Sequence, residues 1–254
     1  MTINHNWNQN RLLAELTMAE SARLIPHLEL VTMPLGEVYY EPGGGMRYAY
    51  FPTTSIVSLH YVLENGAPTE FAVVGNEGML GIPLLTGGNM SPGCAQVRSA
   101  GYGYKLSAKV LMEEFDRGGQ LQQILMLYTQ ARMTQISQGA ACMRHHSVQQ
   151  RLSLWLLQTL DRSSSNELVL TQELIADMLG VRREGITEAS GKLQKAGVIR
   201  IHRGHITVLD RSALEDHACE CYDVIKMESD RLLGRDRDLK HSTYPRHTCW
   251  HTAH

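Results

Sequence analysis

Arg182, Arg183 and Glu184 follow directly on Leu179-Gly180-Val181. A guanidinium can grip guanine O6 and N7 with two hydrogen bonds, and a carboxylate can accept from cytosine N4. Between Arg182 and Arg203 the chain carries six Lys/Arg (182, 183, 192, 195, 200, 203) against two acids (184, 188). The local balance is +4 in a chain whose formal net charge is −2. Attraction to a phosphate backbone requires this kind of concentration. The chemistry to be expected here is recognition of a duplex, with Thr171, Arg182, Arg183, Glu184, Thr187, Glu188, Lys192, Arg200 and Arg203 as candidate contacts.

Those side chains need a frame. Thr171 stands before an apolar run and can cap a helix amino end. Leu174, Ile175, Met178 and Leu179 form one face of that helix, and Gly180 permits the left-handed residue that ends it. Val181 then fills the angle, and Ile186, Ala189 or Ser190, Leu193 and Val198 face inward from the next segments. Two short helices joined by a Gly-containing turn read as a helix-turn-helix, whose second helix points its amino end outward. "VIRIHRGHITVL" (198–209) reads as a hairpin turning at Arg203-Gly204, the wing of a winged helix. "SVQQRLSLWLL" supplies a preceding helix with Val148, Leu152, Trp155, Leu156 and Leu160 on one face.

Upstream, residues 30–106 are dense in glycine and in short β-rich runs: "EVYY", "AYF", "SIVSLHYVL", "TEFAVV", "AQV" and "GYGYKL". Many short strands at close spacing suggest a jelly roll. Residues 8–28 form a helical preface. From Gln120 to Met143 no proline occurs, and Met126, Thr129, Met133, Ile136, Ala140 and Met143 step by alternating threes and fours. Such an a/d seam predicts a partner helix, here a second copy of the chain. Leu121, Ile124, Leu125 and Tyr128 form a second apolar face. The expected class is α+β: an amino-terminal double-stranded β-helix (jelly roll) sensor domain, a long dimerisation helix and a carboxy-terminal winged helix-turn-helix. The boundaries read as 8–118, 119–146 and 147–225, with 226–254 as a mobile tail.

At this point the chain resembles the Crp/Fnr family of bacterial transcription regulators, up to about residue 225. The most specific segment is "TQELIADMLGVRREGITEASGKLQKAGVI". The family's recognition helix opens with an Arg-Glu pair, which falls on Arg183-Glu184. A third base-reading position, often arginine, falls on Glu188, and Gly185 replaces a usual Thr or Ser. The resemblance implies a homodimer on two half-sites about one helical turn apart, promoter DNA as partner and RNA polymerase contact in an activator; the cysteine usage described below points to a cytoplasmic location. The resemblance also implies a β-roll sensor coupled through the long helix, with neither the identity nor the existence of a small-molecule effector given by the sequence. Cyclic-nucleotide binders of the family use a Gly-Glu and an Arg-Ser pair. Here the first falls near Leu80 to Pro83, without a carboxylate, and the second falls on Gly93-Cys94. No response to cyclic AMP is expected. Glu77, Met79, Leu80, Ile82, Gly93 and Cys94 mark the altered pocket, which is either filled or open to an apolar ligand; Cys94 offers a thiol for redox sensing.

Other chemistries are poorly served. The start "MTINHNWNQN" is no signal peptide, and no apolar run is long enough to span a bilayer. The five cysteines (94, 142, 219, 221, 249) are odd in number and irregular in spacing, as reduced thiols would be. Haem would need axial ligands such as His60, His145 or a methionine. "HACEC" (217–221) and the terminal "HTCWHTAH" hold metal-ligand types, yet the spacing is unlike a zinc finger, and no metal or other cofactor is predicted. A cupin-type enzyme needs several strand histidines where only His60 occurs, and Cys94 has no evident base; no enzyme is expected.

Overall fold

A computed structural model describes residues 6–163 and 165–234. Two short helices open the chain, α1 (Arg11–Ala14) and α2 (Met18–Leu24). Helix α2 begins at a capping box, in which the Thr17 hydroxyl accepts from the Glu20 N–H and the Glu20 carboxylate accepts from the Thr17 N–H. The same carboxylate accepts from the Leu121 N–H at 2.9 Å and so ties the preface to the start of the long helix.

Seven strands follow: β1 (Glu29–Met33), β2 (Val38–Tyr40), β3 (Tyr48–Pro52), β4 (Ile56–Val62), β5 (Pro68–Val74), β6 (Cys94–Ser99) and β7 (Gly101–Ser107). A short helix, α3 (Ile82–Leu85), interrupts them after β5. They form two antiparallel sheets, ordered β1-β7-β3 and β2-β6-β4-β5. Met33 and Tyr50 of the first sheet pack with Val57, Val74, Ala95 and Val97 of the second, which makes the β-roll. Six of the strands coincide with the β-rich runs of the sequence. The first, "ELVTM", was not among them, because only Met33 of its five residues is buried and no alternation marks it.

Helix α4 (Ala108–Phe115) leads into α5 (Gln120–His145). The inner face of α5, Leu121, Ile124, Leu125 and Tyr128, is sealed in the core of the roll. Tyr128 lies so close to Gly78 that a Cβ there would come within 2.4 Å of its hydroxyl, so only glycine fits. The other face is bare: Met126 is 58% and Met133 65% exposed, Ile136, Ala140 and Met143 are exposed as well, and Thr129 is half-buried.

The last part of the chain comprises α6 (Val148–Leu160), β8 (Glu167–Val169), α7 (Gln172–Leu179), α8 (Arg183–Lys195), β9 (Ile199–His202), β10 (His205–Val208), α9 (Arg211–Asp216) and α10 (Cys221–Leu233). Ser147 and Gln150 form a second capping box that restarts the helix at α6. The wing carries a third strand, with order β8-β10-β9. Two points correct the sequence reading. The Asp161–Glu167 loop ends in a strand, β8. The chain beyond 225 also continues as helix: α10 runs to Leu233, buries Cys221, Tyr222, Glu228 and Leu232, and packs along α5. The helical spacing of Cys221, Ile225, Glu228 and Leu232 was the available signal. No helix among the described residues is long and apolar enough to cross a membrane.

Candidate nucleic-acid interface and the sensor interior

The Thr171 hydroxyl accepts from the Leu174 N–H at 3.1 Å and starts α7. Gly180, at φ 60° and ψ 43°, ends it in the left-handed region. The Val181 N–H then returns to the Ala176 carbonyl, and Val181 packs on the domain core, as its place in the angle suggests. Ile186, Ala189, Ser190 and Leu193 turn inward from α8. The opposite face of α8 must therefore carry its charge outward. Arg182 is the amino-terminal cap, Arg183 and Glu184 are the first two residues of the helix, and all three are exposed.

Thr171, Thr187, Glu188, Lys192, Arg200 and Arg203 are exposed. Arg183 stands 3.4 Å from Glu173 of α7, and Lys192 pairs with Glu188 at 2.7 Å. The hydrogen bond from Lys192 holds the Glu188 carboxyl below its usual range. Both pairs are exposed, so water and salt screen them and leave the cations free to exchange partners. The Thr187 hydroxyl donates to Gln172 Oε1 at 3.0 Å, which links the two helices. The wing turns at Arg203 (φ 43°) and Gly204 (φ 82°), a two-residue hairpin with both central residues left-handed.

The interior of the β-roll is organised differently from what its sequence suggested. Glu77 is not a free pocket carboxylate. Its Oε1 accepts from Arg162 Nε at 2.7 Å and lies 3.6 Å from Arg132 Nη2, while its Oε2 accepts from the Gly75 N–H at 3.0 Å. Burial pushes this carboxyl up, but the Arg162 and Arg132 guanidiniums outweigh it and hold the group below its ordinary value. Met79 and Leu80 are also buried, in the two packed layers of the roll. The Met79 carbonyl accepts from the Tyr128 hydroxyl, and Leu80 exchanges both backbone hydrogen bonds with Tyr50. These three pocket positions are spent on packing and ion pairing. Ile82 and Cys94 are half-buried, and Gly93 is buried against the Phe71 ring and the His60 carbonyl. Burial, with the Glu41 charge, pushes the Cys94 thiol up, the opposite of what an activated thiol requires. For haem, His60 lies buried in β4 and His145 exposed on the last turn of α5.

A second buried ion pair repeats the pattern of the first. Arg98 reaches both oxygens of Glu70 at 3.0 Å, donates to the Thr159 hydroxyl at 2.7 Å and lies 4.3 Å over the Trp155 ring. The Trp155 indole N–H donates to the same Glu70 at 2.8 Å. Glu70 and Arg98 belong to the roll, whereas Trp155, Thr159 and Arg162 belong to α6 and its end. The Glu77–Arg162 ion pair therefore crosses from the roll to α6, and the Arg98–Glu70 pair, within the roll, is held from α6 by Thr159 and Trp155. Met178 and Gly180 complete the seam, against Ser58 and Thr69. Between β5, α5, α6 and α7 an apolar crevice of about 160 Å³ remains, lined in part by Ile136, Ala140 and Met143.

The spacing of "HACEC" alone points to no metal site. Yet Cys219 and Cys221 are buried and meet Cys142 and His146. The missed signal was Cys142 and His146 four residues apart, on one helix face. Cys249 and the "HTCWHTAH" segment lie outside the described residues.

Residues 150–217 match the Crp-like helix-turn-helix domain family. No curated protein is matched by sequence. Among solved structures, the chain resembles FixK2 from Bradyrhizobium japonicum, with a TM-score of 0.65 and 17% identity over 76% of this chain and 98% of that one. It also resembles CLP, a c-di-GMP-responsive global regulator from Xanthomonas campestris, with a TM-score of 0.58 and 15% identity over 76% and 100%. A CooA variant from Carboxydothermus hydrogenoformans gives 0.56 and 12% over 76% and 88%.

Proposed function

We propose that this chain, which carries a Crp-like helix-turn-helix domain in a Crp/Fnr-type regulator fold, is a homodimeric, sequence-specific DNA-binding transcription regulator that does not respond to cyclic AMP. One observation carries the reading. The amino end of α8 presents the cap Arg182 with Arg183 and Glu184 to solvent, on a segment of local charge +4. A helix amino end with these groups fits a major groove, and Arg200 and Arg203 in the wing suit the flanking phosphates. Thr171, Thr187, Glu188 and Lys192 complete the contact set. A gel-shift series on upstream DNA fragments tests it. Affinity should fall steeply with salt, and binding to no fragment would favour a winged helix used for protein contacts.

The dimer rests on the bare ridge of Met126, Thr129, Met133, Ile136, Ala140 and Met143. Methionines as exposed as these, at heptad spacing, call for a second helix. Met133→Glu should place a charge from each copy in that seam. An uncompensated buried charge costs about 3–5 kcal/mol, roughly a hundredfold or more in the dimer dissociation constant. Analytical ultracentrifugation showing an unchanged dimer would reject the seam.

The absence of a cyclic AMP response rests on charge. A cyclic phosphate buried in the roll needs an unpaired cation. Gly93-Cys94 offers none, and the buried guanidiniums Arg98 and Arg132 are already engaged by Glu70 and Glu77. Tight binding of cyclic AMP in a calorimetric titration would overturn this part.

A further inference from the structure

The long helix ends where the chain turns back on itself, and four metal-ligand side chains meet there. Cys142 lies on the last full turn of α5, and His146 caps that helix. Cys219 lies between α9 and α10, and Cys221 is the first residue of α10. Cys142 Sγ and Cys219 Sγ are 3.5 Å apart, and Cys221 Sγ is 3.4 Å from His146 Nδ1. All four ligand atoms fall within 4.8 Å of one another. Tetrahedral zinc with Zn–S near 2.3 Å and Zn–N near 2.0 Å spaces its ligands about 3.8 Å apart for two sulfurs and about 3.5 Å for sulfur and nitrogen. Both of these pairs already stand at nearly those separations. So tight a set surrounds one ion; a multi-iron cluster spreads its cysteines over separate irons.

The surroundings match a metal centre as well. The three cysteines are at most 5% exposed. His146 turns Nδ1 toward the sulfurs and places Nε2 at 3.3 Å from Glu220 Oε1. A carboxylate behind a ligating histidine fixes its tautomer and orientation in metal sites. Gln138 Nε2 donates to Cys221 Sγ at 3.2 Å, a bond that favours a thiolate. Packing alone asks for none of this polar support.

We propose that Cys142, His146, Cys219 and Cys221 bind one zinc ion and thereby clasp the α9–α10 junction to the point where α5 gives way to α6. The ion is structural, since four protein ligands leave no open position. It fixes the joint between the long helix and the DNA-binding domain.

The test uses the full chain, purified reduced, and reads metal rather than DNA binding. Mass spectrometry of the native protein should find one zinc per chain. X-ray absorption should show about three sulfurs at about 2.3 Å and one nitrogen at about 2.0 Å. Cobalt(II) titration should give thiolate charge-transfer bands that Cys142→Ser and Cys219→Ser remove and Cys249→Ser keeps. Glu220→Gln leaves every ligand in place and should weaken affinity about tenfold. The proposal fails if the reduced chain takes up neither zinc nor cobalt. It fails equally if the freshly isolated protein holds a Cys142–Cys219 disulfide and no metal. Loss of binding only in Cys249→Ser would put the ion in the carboxy-terminal segment and also overturn it. Because the absorption spectrum of the unaltered chain counts ligands by itself, a variant that misfolds does not decide the matter.

Discussion

The interior of the β-roll and the first turn of α8 both gather charged residues, and they treat them in opposite ways. In the roll and on the face of α5 against it, the side chains of Glu70, Glu77, Arg98 and Arg132 are buried, and each is held by a named partner. On α8, Arg182 and Arg183 stand in water, with at most a long contact to Glu173. Burying a charge is tolerable only when it is paired. A group that must change partners, from solvent to a base edge, has to remain outside. The roll uses its polar residues as a mechanical joint to α6, while α8 keeps its own in solvent, as the proposed reading of a base edge requires. A carboxylate in a sensor domain is thus no evidence for a pocket until its own partners are known.

Substitutions at the two places should separate stability from recognition. The largest effect is expected at Glu77. Glu77→Ala leaves the Arg162 and Arg132 guanidiniums buried and uncompensated, at a cost of about 3–5 kcal/mol. Denaturant unfolding should show the loss, while the preferred DNA sequence of the surviving folded protein stays the same. Acid should act on the same joint. The folded carboxyl sits below its ordinary value, so its contribution is present above about pH 4.3 and disappears as pH falls through the folded value. A Glu77→Gln variant should lose that part of the acid sensitivity; an unchanged acid-unfolding profile would argue against the ion pair as the joint.

Arg183→Ala should do the reverse at smaller magnitude. The side chain is exposed, so unfolding should barely move, and discrimination at one base position should fall by about 1–3 kcal/mol. Selection from random duplexes reads this directly. A variant that selected the same sequence as the parent would displace α8 as the reading helix and erase the contrast with the roll.

The same contrast governs what could be read from the chain. The helix-turn-helix was legible because its determinants are local: Thr171, Gly180, Val181 and the inward Ile186 and Leu193 lie within a few turns of one another. The β-rich runs between turn residues and the two faces of α5 were legible for the same reason. The joint was not. Arg98 meets Thr159 across 61 positions, and Glu77 meets Arg162 across 85. Glu77 therefore looked like a pocket residue, and Trp155 like a core residue alone. The cysteine cluster was hidden likewise, since Cys142 and Cys219 are 77 positions apart. The i,i+4 step from Cys142 to His146 marked half of it, but no periodicity points to the other half.

The smallest effect is expected at Lys192, and it sharpens the comparison within α8 itself. Lys192 sits about two and a half turns beyond Arg183, exposed and paired with Glu188. At that distance from the helix amino end a flexible ammonium suits a phosphate rather than a base edge. Lys192→Ala should therefore weaken every duplex alike and lower the slope of log affinity against log salt by about one, while sequence selection stays as in the parent. It also frees Glu188 from the hydrogen bond that holds its carboxyl down, so Glu188→Ala in the same background separates loss of the cation from release of the acid. If Lys192→Ala shifted base preference while the salt slope held, the cation would be reading sequence. The line between positioning and reading would then have to be drawn further along the helix.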